Sequence, residues 1–163
     1  MANTNAPYGF RLWERLSGAE ARMSPVLLKF PSAAVLAVGD PVKSSLGIGY
    51  LAGTTNAIFG IVNSPAPGWN ETAKQVHYPD ILPADDMSIW RCQSIGTVNA
   101  SIAFMGVAKK YRIGGTTSGF TGIDLSHTTG GVFQVIGLAP GSALGTYAEL
   151  LVSVTRGAFT GQV

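Results

Sequence analysis

Charge is what this sequence has least of. Acidic and basic side chains make up 12% of its 163 residues and balance to +2, where about a quarter is usual. So even a balance excludes a strong electrostatic pull toward nucleic acid. Lys109, Lys110 and Arg112 form the one basic cluster, and it reads as a solvated strand end. Low charge with 46% hydrophobic residues also excludes a disordered chain. Cys92 is the sole cysteine, which rules out an internal disulfide and a cysteine-built metal site. Long apolar runs are missing too, so no membrane-spanning helix is expected. Met1 to Pro7 carries no charged side chain and is unlike a signal peptide, so synthesis in a cytoplasm is expected. These absences predict a protein with no nucleic-acid partner, no membrane partner, no metal and no cofactor.

Glycine and proline are what the chain has in quantity, with 21 and 9 copies. They cut the apolar residues into short runs, which predicts short strands rather than helices. Strands are expected over 10–16, 42–46, 48–51, 58–62, 87–93, 111–113, 123–125, 132–138 and 148–154. Met23 to Phe30, broken by Pro25, reads as an edge strand. The run at 132–138 is apolar enough to be buried on both faces. Residues 97–105 alternate with period 2, with a short helical turn as the alternative. The fold class is therefore all-β: a single compact β-sandwich or β-barrel with an extended N-terminal arm and at most one short helix.

Organisation follows from the punctuation. Residues 1–18 read as an arm with the first strand and turn. Residues 19–163 read as the β domain, with a Pro-rich loop at 63–83. Between them lies Val38-Gly39-Asp40-Pro41-Val42-Lys43, a turn feeding a strand. Glycine supplies backbone freedom, the aspartate caps the turn, and proline fixes the next φ.

No set of residues has the spacing of a catalytic site, and the protein is expected not to be an enzyme. Gly47-Ile48-Gly49-Tyr50-Leu51-Ala52 matches a loose dinucleotide fingerprint, but Gly53-Thr54-Thr55 follows where a helix is required. Asp80, Asp85 and Asp86 lack further acidic residues at ion-loop spacing. Ser126 and His127 are adjacent, and neighbours on a strand face opposite ways. A hydrolase built from Asp80, Asp85 and His77 is the weakest reading. Trp69, His77 and Tyr78 would suit a carbohydrate- or receptor-binding groove if they share a face, and that is the alternative function.

Met1-Ala2-Asn3-Thr4-Asn5-Ala6-Pro7-Tyr8-Gly9-Phe10-Arg11 resembles the opening of a family of tailed-bacteriophage head proteins. Leu16-Ser17-Gly18-Ala19, Val38-Gly39-Asp40-Pro41-Val42-Lys43 and Phe59-Gly60-Ile61-Val62 follow in that family's order. Ile123-Asp124-Leu125, Phe133-Gln134-Val135-Ile136-Gly137-Leu138 and Leu151-Val152-Ser153-Val154 complete the likeness. The resemblance implies a capsid decoration, or cement, protein on the outside of a phage head. Its partners would be the major capsid protein and sister copies in a dimer or trimer. The implied contact residues are Asn5, Pro7, Tyr8, Phe10 and Arg11 of the arm, with Trp69 and Tyr78 in the Pro-rich loop. On that expectation, deleting residues 2–10 leaves the β domain folded.

Overall fold

The computed structural model describes residues 8–16, 26–27, 29–30, 36–46, 48–64, 79–85, 87–98, 109–115 and 121–155. Among them there is no helix. The strands are β1 (Arg11–Arg15), β2 (Val26–Leu27), β3 (Pro41–Ser45), β4 (Ile48–Leu51), β5 (Gly60–Ser64), β6 (Asp80–Pro83) and β7 (Ser88–Ile95). They continue as β8 (Thr97–Val98), β9 (Arg112–Gly114), β10 (Gly122–Asp124), β11 (Phe133–Leu138), β12 (Gly145–Thr146) and β13 (Glu149–Val154). The all-β expectation holds: two sheets pack together as a sandwich, and β8 pairs with β12 beside them.

β7 is the axis of the larger, six-stranded sheet. β13 lies along one of its edges, while β1 and the parallel β10 share the other. The sheet runs β11-β13-β7-β10-β9 and curls until its ends meet. Tyr111, just before β9, donates its amide to Phe133 of β11 at 2.7 Å and accepts one back at 3.1 Å. Residues opposite one another across strands share a face. Leu12, Trp90, Val152 and Val135 form one inward row, and Arg11, Arg91, Leu151 and Gly137 the outward row beside it.

The five-stranded sheet, β2-β6-β5-β3-β4, closes the other side of the core. Its Ile61 belongs to the main core cluster with Trp90, Phe133 and Leu150. Its Val62 turns the opposite way and packs with Phe30, Val42 and Ile81, as period 2 requires. Phe30 lies flat against Gly49, where any Cβ would overlap the ring.

The Gly-Asp-Pro turn is the crossing point of the chain. Gly39, at φ +90°, donates its amide to Val62 and accepts the Phe10 amide, both at 2.8 Å. Gly9, at φ +74°, passes so close that a Cβ on either glycine would lie 2.5 Å from the other segment's carbonyl oxygen. Asp40 is fully buried; its carboxylate accepts the Ala37 amide at 2.9 Å and the Thr121 hydroxyl at 3.3 Å. A buried carboxylate is tolerated when it is hydrogen-bonded in this way.

Three expectations differ from the observed fold. The stretch 63–83 does not run irregular to its end, because Asp80–Pro83 is β6, bonded to both β5 and β2. Ile81 and Leu82 supply the strand, and Pro83 lies beyond the residues that pair with β2, with β5 alone beside it among the described strands, an edge position where proline is tolerated. β11 is not buried on both faces: Ile136 is 45% exposed, beside a bulge between Val135 and Gly137. Finally, the strand expected over 10–16 is present as β1, but it is hydrogen-bonded to β7 within the large sheet, so it joins the β domain instead of standing apart from it at residue 18. The helical alternative over 97–105 touches only β8; its remaining residues lie outside those described.

Candidate interaction surface

Where the N-terminal segment crosses Gly39, its side chains part. Phe10 turns inward and stacks on Phe133, with centroids 4.5 Å apart and planes 10° from parallel. Tyr8 passes over the outer face of the large sheet, and its hydroxyl donates to Glu149 Oε1 at 2.9 Å. Glu149 also receives Arg91, whose Nε donates to Oε2 at 2.9 Å and whose Nη2 donates to the same oxygen. Two guanidiniums lie over aromatic rings: Arg11 over Tyr8 at 4.6 Å, and Arg91 over Trp13 at 5.4 Å. A bulge in β1 between Leu12 and Glu14 brings Trp13 to this face. These side chains, with Leu12, line a cleft of about 390 Å³.

The electrostatics of the cluster are settled by one carboxylate. Burial pushes the Tyr8 phenol far above its usual value, and Glu149 pushes it further, so the hydroxyl stays a donor. The Glu149 hydrogen bond keeps Arg91 more firmly charged than usual, against its partial desolvation. Trp13 remains 42% exposed. Arginine, tyrosine and tryptophan are the side chains most enriched among binding hot spots. Held by stacking and ion pairing, they would lose little conformational freedom on contact.

Of the residues the sequence nominates, the structure brings Tyr8 and Arg11 together. Phe10 is different. It is 1% exposed and sits in the main core, so its side chain is not presented to a neighbour. The reason is Gly9, whose φ lets the chain fold the ring back over Phe133. A deletion of residues 2–10 would therefore remove a core residue. Asn5, Pro7, Trp69 and Tyr78 lie outside the described residues. Sequence reading missed Trp13, Arg91 and Glu149. Arg91 and Glu149 meet because β7 and β13 pair, and nothing local in either segment marks that.

A second polar group resembles a catalytic relay and is not one. His127 Nδ1 lies 2.8 Å from Asp124 Oδ2 and 3.0 Å from Ser126 Oγ. A relay needs the two partners on different ring nitrogens; here they share one. Burial disfavours the Asp124 charge, but hydrogen bonds from the Ser126 hydroxyl and amide and from His127 outweigh it, holding the carboxyl below its usual range. The arrangement is a turn locked by its own side chains. Asp85 is engaged elsewhere, with Arg15 at 2.6 Å and with the Ser88 hydroxyl. Among the described residues, no group of three or more His, Cys, Asp and Glu could hold a metal ion.

Cys92 is fully buried on β7, and burial pushes its thiol far above the usual range. A thiol is reactive as the thiolate. Native protein is therefore expected to resist a thiol-reactive dye at mildly alkaline pH and to take up one equivalent after unfolding, as read by absorbance. Comparison of the chain with protein-family models, curated proteins and solved structures found no match.

Proposed function

We propose that this protein is a structural component of a phage head, a decoration protein that binds outside the assembled shell and strengthens contacts between coat subunits. The observation that carries this reading is the outer face of the large sheet, where Tyr8, Arg11, Trp13 and Arg91 stand ordered around Glu149. The order of sequence fragments shared with phage head proteins supports it. So does a body built of sheets with little surface charge, suited to uncharged contact with a neighbour. The protein acts by binding and not by catalysis. Residues 1–7 of the arm and Trp69 of the Pro-rich stretch complete the contact with coat or sister subunits.

Co-sedimentation with assembled heads tests this. The full chain is expected to pellet with heads, while a deletion of residues 2–7, which spares Tyr8 and Phe10, weakens binding with the melting temperature unchanged. Trp69→Ala is expected to weaken it as well. Failure of the full chain to pellet with heads overturns the reading.

A further inference from the structure

The β3–β4 hairpin has no role in the surface just described. It belongs to the smaller sheet and shares no residue with the cluster around Glu149. It is fastened along its length. Val42 to Ser45 pair with Leu51 to Ile48, and the Ala52 amide donates to the Pro41 carbonyl at the base at 2.8 Å. On the side away from β3, the Gly49 amide donates to the Lys29 carbonyl at 2.7 Å. The two faces differ. Val42 and Gly49 lie against Phe30, which is fully buried. The opposite face carries Lys43 across from Tyr50 and Ser45 across from Ile48. It continues the face of Pro41, which stands across from Ile61 of the main core, but the hairpin runs on past that core. Leu46, at the turn, lies about 17 Å along the strand from Pro41.

Two features of Leu46 are costs to the free protein. Its side chain is 100% exposed, the most of any large apolar residue among those described. Its φ is +51°, the left-handed region that the first position of a two-residue hairpin turn takes and that asparagine or glycine ordinarily fills. An exposed leucine alone is ordinary; one also held in a left-handed backbone at a fastened tip points to a contact that offsets both costs. Tyr50, 39% exposed, and half-buried Ile48 extend the apolar surface back from the tip. Lys43 is the one charged side chain on the hairpin, and it has no ion-pair partner among the described residues.

We propose that this hairpin is a second anchor on the coat. Leu46 enters an apolar pocket of a coat subunit, Ile48 and Tyr50 pack at its mouth, and a carboxylate at the rim pairs with Lys43. This inference rests on the reading of the protein as a head component. Because the hairpin is already fastened to its own sheet, seating it costs little conformational freedom. Burying one leucine is enough to change affinity by more than about tenfold.

Co-sedimentation of the full chain with assembled heads, read beside urea unfolding, tests it. Leu46→Asn is expected to weaken binding by at least about tenfold. Its urea midpoint is expected to rise, because asparagine accepts the left-handed backbone and no leucine is left exposed. Leu46→Ala is expected to weaken binding similarly with the midpoint nearly unchanged. Lys43→Ala is expected to weaken it about threefold and to flatten its decline with added salt. A hairpin that only joins two strands of its own sheet would move neither binding nor its salt dependence. Wild-type binding by Leu46→Asn, a fall in its midpoint, or an unchanged salt dependence in Lys43→Ala would each overturn the proposal, and would leave the capsid reading intact where wild type pellets with heads. Failure of wild type to pellet overturns both.

Discussion

Replacing Gly39 by alanine is expected to destabilise the protein by more than about 3 kcal/mol, measured as a shift in the urea midpoint. Two costs add. The first is conformational: Gly39 sits at φ +90°, a region that charges a side-chain-bearing residue roughly 1–2 kcal/mol. The second is steric, because the new Cβ would lie 2.5 Å from the Tyr8 carbonyl oxygen and 3.0 Å from the Phe10 amide nitrogen. Both are main-chain atoms, and moving them breaks the bond from the Phe10 amide to the Gly39 carbonyl. Gly141 separates the two costs. Its φ is similar, +82°, and nothing lies within 4 Å of a Cβ built there. Gly141→Ala is therefore expected to show the conformational cost alone, about 1–2 kcal/mol. Equal losses at both positions would mean that the crossing at Gly39 is not tight.

The second large effect belongs to the Phe10–Phe133 stack. Each ring is fully enclosed, and Phe→Ala in a close-packed core costs about 3–5 kcal/mol. Phe10→Ala and Phe133→Ala are each expected to fall in that range. Their planes are 10° apart with centroids 4.5 Å away, so part of each loss is the same contact. The double variant is expected to lose less than the sum of the singles, by about 0.5–1.5 kcal/mol. The main-chain bonds between Phe133 and Tyr111 are kept by either truncation, so the two losses are expected to be similar. If Phe10→Ala left the midpoint unchanged, Phe10 would be free to serve a neighbour after all. The experiment thus decides between an arm that begins before Phe10 and one that includes it.

Several elements were legible because their signals are local. Ala148, Leu150, Val152 and Val154 alternate with more exposed residues, and period 2 placed them on the buried face of β13 without knowledge of any partner strand. The Gly-Asp-Pro turn was legible for the same reason: glycine freedom, an aspartate acceptor and a fixed proline φ all act within a few residues. β6 was hidden because only Ile81 and Leu82 carry it, between two prolines; its stability comes from strands on both sides. Ile136 was misread because apolar composition suggests burial, while the β11 bulge and edge position expose it.

The candidate surface divides along the same line. Tyr8 and Arg11 were nominated from an opening stretch whose order of residues resembles phage head proteins. Trp13 carried no signal, because its direction depends on a bulge against β7. Arg91 and Glu149 are 58 residues apart and meet through strand pairing. What the sequence determined by itself was the class of the fold: sparse charge, abundant glycine and short apolar runs leave sheets as the way to bury the chain. What the tertiary structure decided was which side of the N-terminal segment belongs to the core. The crossing of Gly9 and Gly39 sends Phe10 inward and Tyr8 outward, and no propensity of either aromatic residue distinguishes those fates. Packing against a distant partner, Phe133 for one ring and Glu149 for the other, made the choice.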